Sequence, residues 1–262
     1  MKSAINVAIE AAKLAGKIIK ENIGTITKED ITQKSISDYV TKFDLQAERA
    51  IIEKIKTHFP EHQFMAEESS NKIKKAEYMW IIDPLDGTTN FIHGFPVVAI
   101  SIALMFKEEV VVGVVYDPLR DEIFYAEKGS GAFLNDEKIE VSTIKDPSLA
   151  LIATGFPFRN KHYIDDYMKI FRELLYSVSD LRRPGAAALD LCYVACGRVD
   201  GFFEFALSPW DIAAGTVIIK EAGGVVSDFE RGQNYLKTGN IIAGNPYVHS
   251  FLVEKIREVL VD

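Results

Sequence analysis

From position 97 to position 127 the chain reads as consecutive strands joined by turns too short to hold a helix, and after Pro147 strands and helices alternate. One simple sheet cannot satisfy both patterns. Strands linked by Lys107-Glu108 or by Pro118-Leu119-Arg120-Asp121 must pair antiparallel with their neighbours. Strands separated by helices instead form units whose helices cover the sheet faces. The spacing predicts strands at 78–83, 97–106, 109–117 and 121–127, then a hairpin in GSGAFLNDEKIEV. It then predicts strand 149–154, helix 163–177, strand 178–182, helix 186–196, strand 199–205 and helix 209–222. Short strands near 225–227 and 241–243 and a helix at 246–261 end the chain. Two amphipathic helices come first, one over 3–22 with Ile5, Ile9, Ala12, Gly16 and Ile19 on one stripe, the other over about 43–59, stopped by Pro60. Between them, TITKEDITQKSISDYVTK reads as a mobile loop or a loose hairpin. The expectation is a layered α/β arrangement of sheets and helices, one domain over 1–262 with lobes of about 1–145 and 146–262.

With 262 residues, 48% of them hydrophobic, such a chain can bury a substantial core. Its formal charge is −8, and its basic residues cluster only in short pairs such as Lys74-Lys75 and Arg182-Arg183. That composition does not support nucleic-acid binding through a basic face, so no nucleic-acid partner is expected. Glu10 and Lys13 interrupt the apolar start MKSAINVAIEAAKLAG, and the longest strongly apolar run, Pro96 to Phe106, is too short to span a bilayer. The expectation is a cytoplasmic protein with no membrane partner. Cys192 and Cys196, four apart with no histidine nearby, read as two buried thiols, not as a metal pair. Gly129-Ser130-Gly131 is followed by no helical pattern and reads as turn chemistry.

The stretch WIIDPLDGTTNFIHG, residues 80–94, runs an apolar strand into two acids. Pro84 fixes φ and removes a donor, which suits a sharp strand exit that aims Asp83, Asp86 and the Leu85 carbonyl at one point. Hard oxygen donors suit Mg²⁺ or Mn²⁺ better than zinc. Gly87, Thr88 and Thr89 then open a helical turn whose free N–H groups form a phosphate-sized nest. The plainer alternative is an ordinary Asp-Gly turn with Asp83 as a helix cap. Other acids weigh against it. Glu67-Glu68 end the strand QFMA at 63–66, and Asp211 follows Trp210 where a helix begins. Carboxylates delivered by three separate strand or loop ends are what a two-metal site needs.

WIIDPLDGTTNFIHG together with PWDIAAGTVIIKEAGG resembles the paired signatures of the inositol monophosphatase family. The similarity extends to AEES at 66–69, KSISDYVTKFD at 34–44 and RRPGAAALDLCYVACGRVDGFFE at 182–204, nearly the whole chain in order. The bacterial inositol-1-monophosphatase branch is the most similar. The resemblance implies a five-layer αβαβα sandwich of the sugar-phosphatase type and a homodimer. It also implies Mg²⁺-dependent, lithium-sensitive hydrolysis of myo-inositol monophosphate and related sugar or polyol phosphates, by metal-activated water with two to three ions. Carried over by position, Glu67, Asp83 and the Leu85 carbonyl hold the first metal, and Asp83, Asp86 and Asp211 the second. Glu67 also touches a third, weaker ion. Asp44 and Thr88 polarise the attacking water, and Gly87 and Thr88 bind phosphate. Glu204, Arg183 and the backbone near Ala186 and Ala187 meet the substrate, with Lys34 a candidate for screening phosphate charge. Without the resemblance Asp44 reads as a solvated helix-start acid. His93 invites a general-acid role that a bound water would fill equally well.

The rivals within this family are a fructose-1,6-bisphosphatase, a bisphosphate nucleotidase or a dual-specificity sugar phosphatase, with Arg182 and Arg183 on a second phosphate. A rival of another kind is a regulatory protein that keeps the fold without turnover. Dehalogenase-type phosphatases fit less well, because one residue separates their two aspartates and here two intervene.

Overall fold

The chain's structure is a computed structural model that describes residues 3–35, 38–69 and 76–261. Lys74 and Lys75, and positions 36–37 of the KSISDYVTKFD stretch, lie outside the described residues. Small residues set the first layer. Helix α1 (Ala4–Asn22) buries Val7, Ala8, Ala11, Ala12 and Ala15 on one face. A β-carbon on Gly16 would fall 2.4 Å from the Tyr116 ring, so the helix lies directly on its sheet. The polar segment that follows is a hairpin, β1 (Ile31–Ser35) with β2 (Asp38–Thr41), antiparallel, preceded by a turn of 3₁₀ helix at Lys28–Asp30. Helix α2 (Lys42–His58) packs beside α1.

Strands β3 (Gln63–Ala66) and β4 (Tyr78–Asp86) open a seven-stranded sheet. The run WII at its centre is apolar throughout because successive side chains enter different cores. Trp80 and Ile82 pack towards α1 and α2, whereas Met79 and Ile81 pack on the opposite face. A short helix α3 (Thr88–Ile92) separates β4 from β5 (Ala99–Phe106). Then come β6 (Glu109–Asp117), β7 (Glu122–Glu127), β8 (Ala132–Leu134) and β9 (Glu137–Ile139), each antiparallel to the one before it. Asn135 and Asp136, both at positive φ (47° and 68°), make the β8–β9 turn, as tight hairpins require. The glycine loop is turn chemistry of a particular kind. Both carboxylate oxygens of Glu221 accept its N–H groups, from Gly129 and Gly131 at 2.9 Å each.

The second half contains β10 (Leu151–Thr154), α4 (Ile164–Ser177), β11 (Asp180–Arg182), α5 (Ala187–Ala195), β12 (Gly201–Glu204) and α6 (Pro209–Glu221). It ends with β13 (Val225–Ser227), α7 (Tyr235–Thr238), β14 (Ile241–Gly244) and α8 (Pro246–Val261). The five strands lie in the order β11-β10-β12-β14-β13; β10 runs parallel to β11 and β12, and β14 antiparallel to β12 and β13. Five layers result: α1 and α2, the large sheet, α5 and α6, the smaller sheet, then α4 and α8. No helix among the described residues is long and apolar enough to cross a membrane.

Two expectations need correction, and one element is new. The strand expected to stop at 83 continues to Asp86 through a bulge. Asp83 pairs with Ser101 and Asp86 with Ala99, so Pro84 and Leu85 oppose Ile100 alone. Proline is tolerated at such a bulge because its missing N–H has no ladder partner there. The two thiols are not equally enclosed: Cys192 is buried and Cys196 half-buried, both free. Helix α7 lacks the length for any periodic signal and has no counterpart among the expected elements.

Candidate active site

The β4 bulge aims its acids. Asp83 is buried and accepts the Leu85 N–H at 2.9 Å, which curls the chain tightly around its carboxylate. Asp86, at the strand's end, accepts the Ala188 N–H at 2.7 Å and so joins the large sheet to the start of α5. Gly87 follows at φ 90°; a β-carbon there would fall 2.9 Å from the Val97 carbonyl, so only glycine fits. Asp211 sits at the third position of α6 and accepts the Ser208 N–H at 2.7 Å, a capping box. Glu67 follows β3 and its N–H donates to the Ile82 carbonyl at 3.2 Å, which holds it against β4. One cavity of about 470 Å³ is lined by Glu67, Asp83, Asp86 and Asp211 together with Leu85, Gly87, Thr88 and Glu204.

Burial and mutual repulsion govern the charge of this group. Desolvation, then Asp211 and Glu68, push Glu67 up to about 8. Desolvation, then Asp211, push Asp86 up to about 7, against the Ala188 N–H, which lowers it. Asp211 rises to about 6 through desolvation, and Asp83 rises well above the ordinary range through desolvation and its acid neighbours. Packed carboxylates that hold protons this tightly form a site that favours positive charge. Among the described residues no three His, Cys, Asp or Glu side chains are grouped so as to hold a metal ion as they stand. Oxygen donors delivered one or two at a time fit Mg²⁺, which keeps several waters and takes few carboxylates.

Asp44 is not the solvated helix-start acid that its position alone suggests. It is fully buried at the third position of α2, where its Oδ2 accepts the Thr41 N–H at 2.9 Å. Its Oδ1 lies 3.2 Å from the Thr88 hydroxyl, which also reaches the Leu85 carbonyl at 3.1 Å. Burial raises the Asp44 carboxyl against the hydrogen bonds from Thr41 and Thr88. Lys34 does not line the cavity: its ammonium sits 2.6 Å from Glu68 and 3.9 Å from Glu67. Arg182 is engaged with Asp180 at the surface, whereas Arg183, Ala186 and Ala187 line the cavity.

Several cavity residues escaped the sequence reading. Arg159 lowers the proton affinity of Glu67, Asp86, Asp211 and Glu204, so a protein cation acts on four of the cavity's acids. Its only signal was a cation in the loop GFPFRN, directly after a strand. Asn90, inside the quoted motif, donates its side-chain amide to the carbonyls of Val97 (2.8 Å) and Pro184 (3.1 Å), tying α3 to the 184–187 segment. Outside the cavity lining, Asp190 is buried in α5 with an unpartnered Oδ1; a lone acid in the apolar run AALDLCYVA was its signal. Tyr39 also lines the cavity, as does His93, the residue already weighed as a general acid.

The layered fold and its carboxylate-lined cavity place the chain in a class. It belongs to the inositol monophosphatase family, whose model matches residues 1–260. Among similar proteins, the Nus factor SuhB of Escherichia coli is 47% identical over 263 residues, covering all of this chain and 98% of that protein. The extragenic suppressor protein suhB from Bartonella henselae superposes with a TM-score of 0.94 at 41% identity, over 98% of this chain and 99% of that one. A Thermotoga maritima IMPase does so with a TM-score of 0.89 at 37% identity, over 98% and 97% of the two chains.

Proposed function

We propose that this chain is a Mg²⁺-dependent phosphate monoester hydrolase acting on myo-inositol monophosphate and related sugar or polyol phosphates. The observation that carries the reading is the set of anchored, mutually repelling carboxylates Glu67, Asp83, Asp86 and Asp211 beside the Thr88–Asp44 pair. Glu67, Asp83 and the Leu85 carbonyl would hold one ion; Asp83, Asp86 and Asp211 would hold a second, with Mn²⁺ able to substitute. Two such ions supply positive charge against the charge that builds up during an in-line displacement at phosphorus. The rest falls to the chain's own groups. The Thr88 hydroxyl donates a hydrogen bond to Asp44 Oδ1, which leaves a lone pair on Oγ1 to orient the attacking water. Asp44, made more basic by burial, is suited to receive the proton. The N–H groups around Gly87 and Thr88 face the phosphate, and Glu204, Arg183 and the backbone at Ala186 and Ala187 face the leaving group. Lithium sensitivity, a homodimer and a cytoplasmic location belong to the same proposal.

A second reading has its own support. The relatives that match at 46–47% identity carry the name Nus factor, so a regulatory role that keeps the fold is a competing function. Those names also remove support from the expectation that no nucleic acid is involved. Phosphate release from myo-inositol 1-phosphate in Mg²⁺ separates the readings. Turnover that Asp211→Asn abolishes supports the hydrolase; no release from any ester of a sugar phosphate panel leaves the regulatory reading.

A further inference from the structure

Thr41 ends β2, caps α2 and is buried, and it does not line the cavity. Its N–H donates to Asp44 Oδ2 at 2.9 Å, and its hydroxyl oxygen lies 2.5 Å from the same atom. The direction of that second bond follows from simple valence. A hydroxyl carries one proton, and an ionised carboxylate can only accept. Thr41 therefore donates to Oδ2 and turns a lone pair to the Phe43 N–H, 3.2 Å away. One residue thus places two donors on Oδ2, while Oδ1 faces the Thr88 hydroxyl at 3.2 Å.

The two carboxylate oxygens are consequently unequal as proton acceptors. A proton on Oδ2 would meet the Thr41 N–H and hydroxyl head-on, and a buried donor left unpaired is costly. Oδ1 can take a proton without that conflict. The Thr88 hydroxyl has a second acceptor, the Leu85 carbonyl at 3.1 Å, and can turn to it while accepting from a protonated Oδ1. Burial raises the Asp44 carboxyl, and the strongest of the groups that oppose it is the Thr41 hydroxyl, ahead of the Thr41 N–H and of Thr88. We propose that Thr41 is a positioning residue: by holding Oδ2 it reserves Asp44 Oδ1 to receive the proton of the attacking water through Thr88. The water proton passes to Thr88 Oγ1 as the Thr88 proton passes to Oδ1, and the pair left on the water oxygen forms the bond to phosphorus. The ester P–O bond breaks with its pair on the leaving oxygen, which takes up a solvent proton. This part in turnover rests on the hydrolase reading above; the seating of Asp44 does not.

The test uses Thr41→Ala and Thr41→Val, which both lack the hydroxyl, and Thr41→Ser, which keeps it. With myo-inositol 1-phosphate, the first two should lower kcat by roughly 10- to 100-fold, the scale of a catalytic group misplaced by about 1 Å. KM and the half-saturating Mg²⁺ should stay at the wild-type values, and Thr41→Ser should restore kcat. In a Thr88→Ala background the loss caused by Thr41→Ala should shrink towards one, because the two residues act through the same carboxylate. Wild-type kcat in both hydroxyl-free variants, with only a lower melting temperature, would leave Thr41 a helix cap and overturn the proposal. A loss that serine does not restore, or that persists in full without the Thr88 hydroxyl, overturns it too. If the wild type releases phosphate from no ester, the hydrolase reading has failed, and the crystal structure of Thr41→Ala decides the seating. An Asp44 carboxyl turned away from Thr88 supports the positioning role; one that keeps its orientation overturns it.

Discussion

Replacing Asp86 by asparagine should stabilise the chelated protein while weakening its response to Mg²⁺. Asp86 stands beside Asp211, and desolvation with that repulsion moves its carboxyl from an ordinary 3.8 to about 7. Between those limits the native state holds more protons than the unfolded chain, so stability falls as pH rises from about 4 to about 7 and then levels. Three pH units correspond to roughly 4 kcal/mol of ionisation penalty at pH 8. The amide carries no charge but loses one acceptor oxygen at the Ala187 and Ala188 N–H groups, a cost of about 1–2 kcal/mol. A net gain of about 2–3 kcal/mol raises the melting temperature by roughly 5–10 °C in a chain of this size. Differential scanning calorimetry in chelator at pH 8 and at pH 4.5 reads the effect directly. The variant should melt higher at pH 8 and match the wild type at pH 4.5. Saturating Mg²⁺ at about 100 times its Kd should add about 2.7 kcal/mol to the wild type and clearly less to the variant. A variant that melts below the wild type in chelator at pH 8, or shows the same difference at both pH values, refutes the reasoning.

Thr88→Ala should lower kcat and kcat/KM together by roughly 10²–10⁴-fold with circular dichroism unchanged; a rise in KM alone would make Thr88 a ground-state phosphate contact. Hydrolysis of a chiral phosphate ester should proceed with inversion, because Asp83 and Asp86 are both assigned to cations; retention would reveal an aspartyl nucleophile. Gly113→Ala should cost roughly 1–3 kcal/mol, because its β-carbon would fall 2.5 Å from the Ala214 carbonyl where β6 meets α6. An unchanged melting temperature would contradict that close approach.

Much of this architecture was legible because its signals are local. The turns at 107–108 and 118–121 declared the antiparallel strands, and the alternation after Pro147 declared the second sheet. The acids were legible because carboxylates at the ends of apolar strands are uncommon. Three features were not. That β3 runs parallel to β4 depends on how the intervening chain crosses over, which local periodicity does not encode. The bulge at Pro84-Leu85 is a property of two paired strands, whereas proline read within one strand signals an exit. Arg159, Phe156 and Phe158 reach the cavity from a loop, where no period marks which side chains turn inward.

The central claim is that Glu67, Asp83, Asp86 and Asp211 form a cation site that serves hydrolysis. Inorganic phosphate released from myo-inositol 1-phosphate, titrated with Mg²⁺ in the wild type and in Asp211→Asn, tests it most directly. The account predicts release that requires Mg²⁺, saturates with it and is nearly abolished in the variant while the fold is retained. Release that persists in chelator, or that survives at limiting Mg²⁺ in Asp211→Asn, would contradict it.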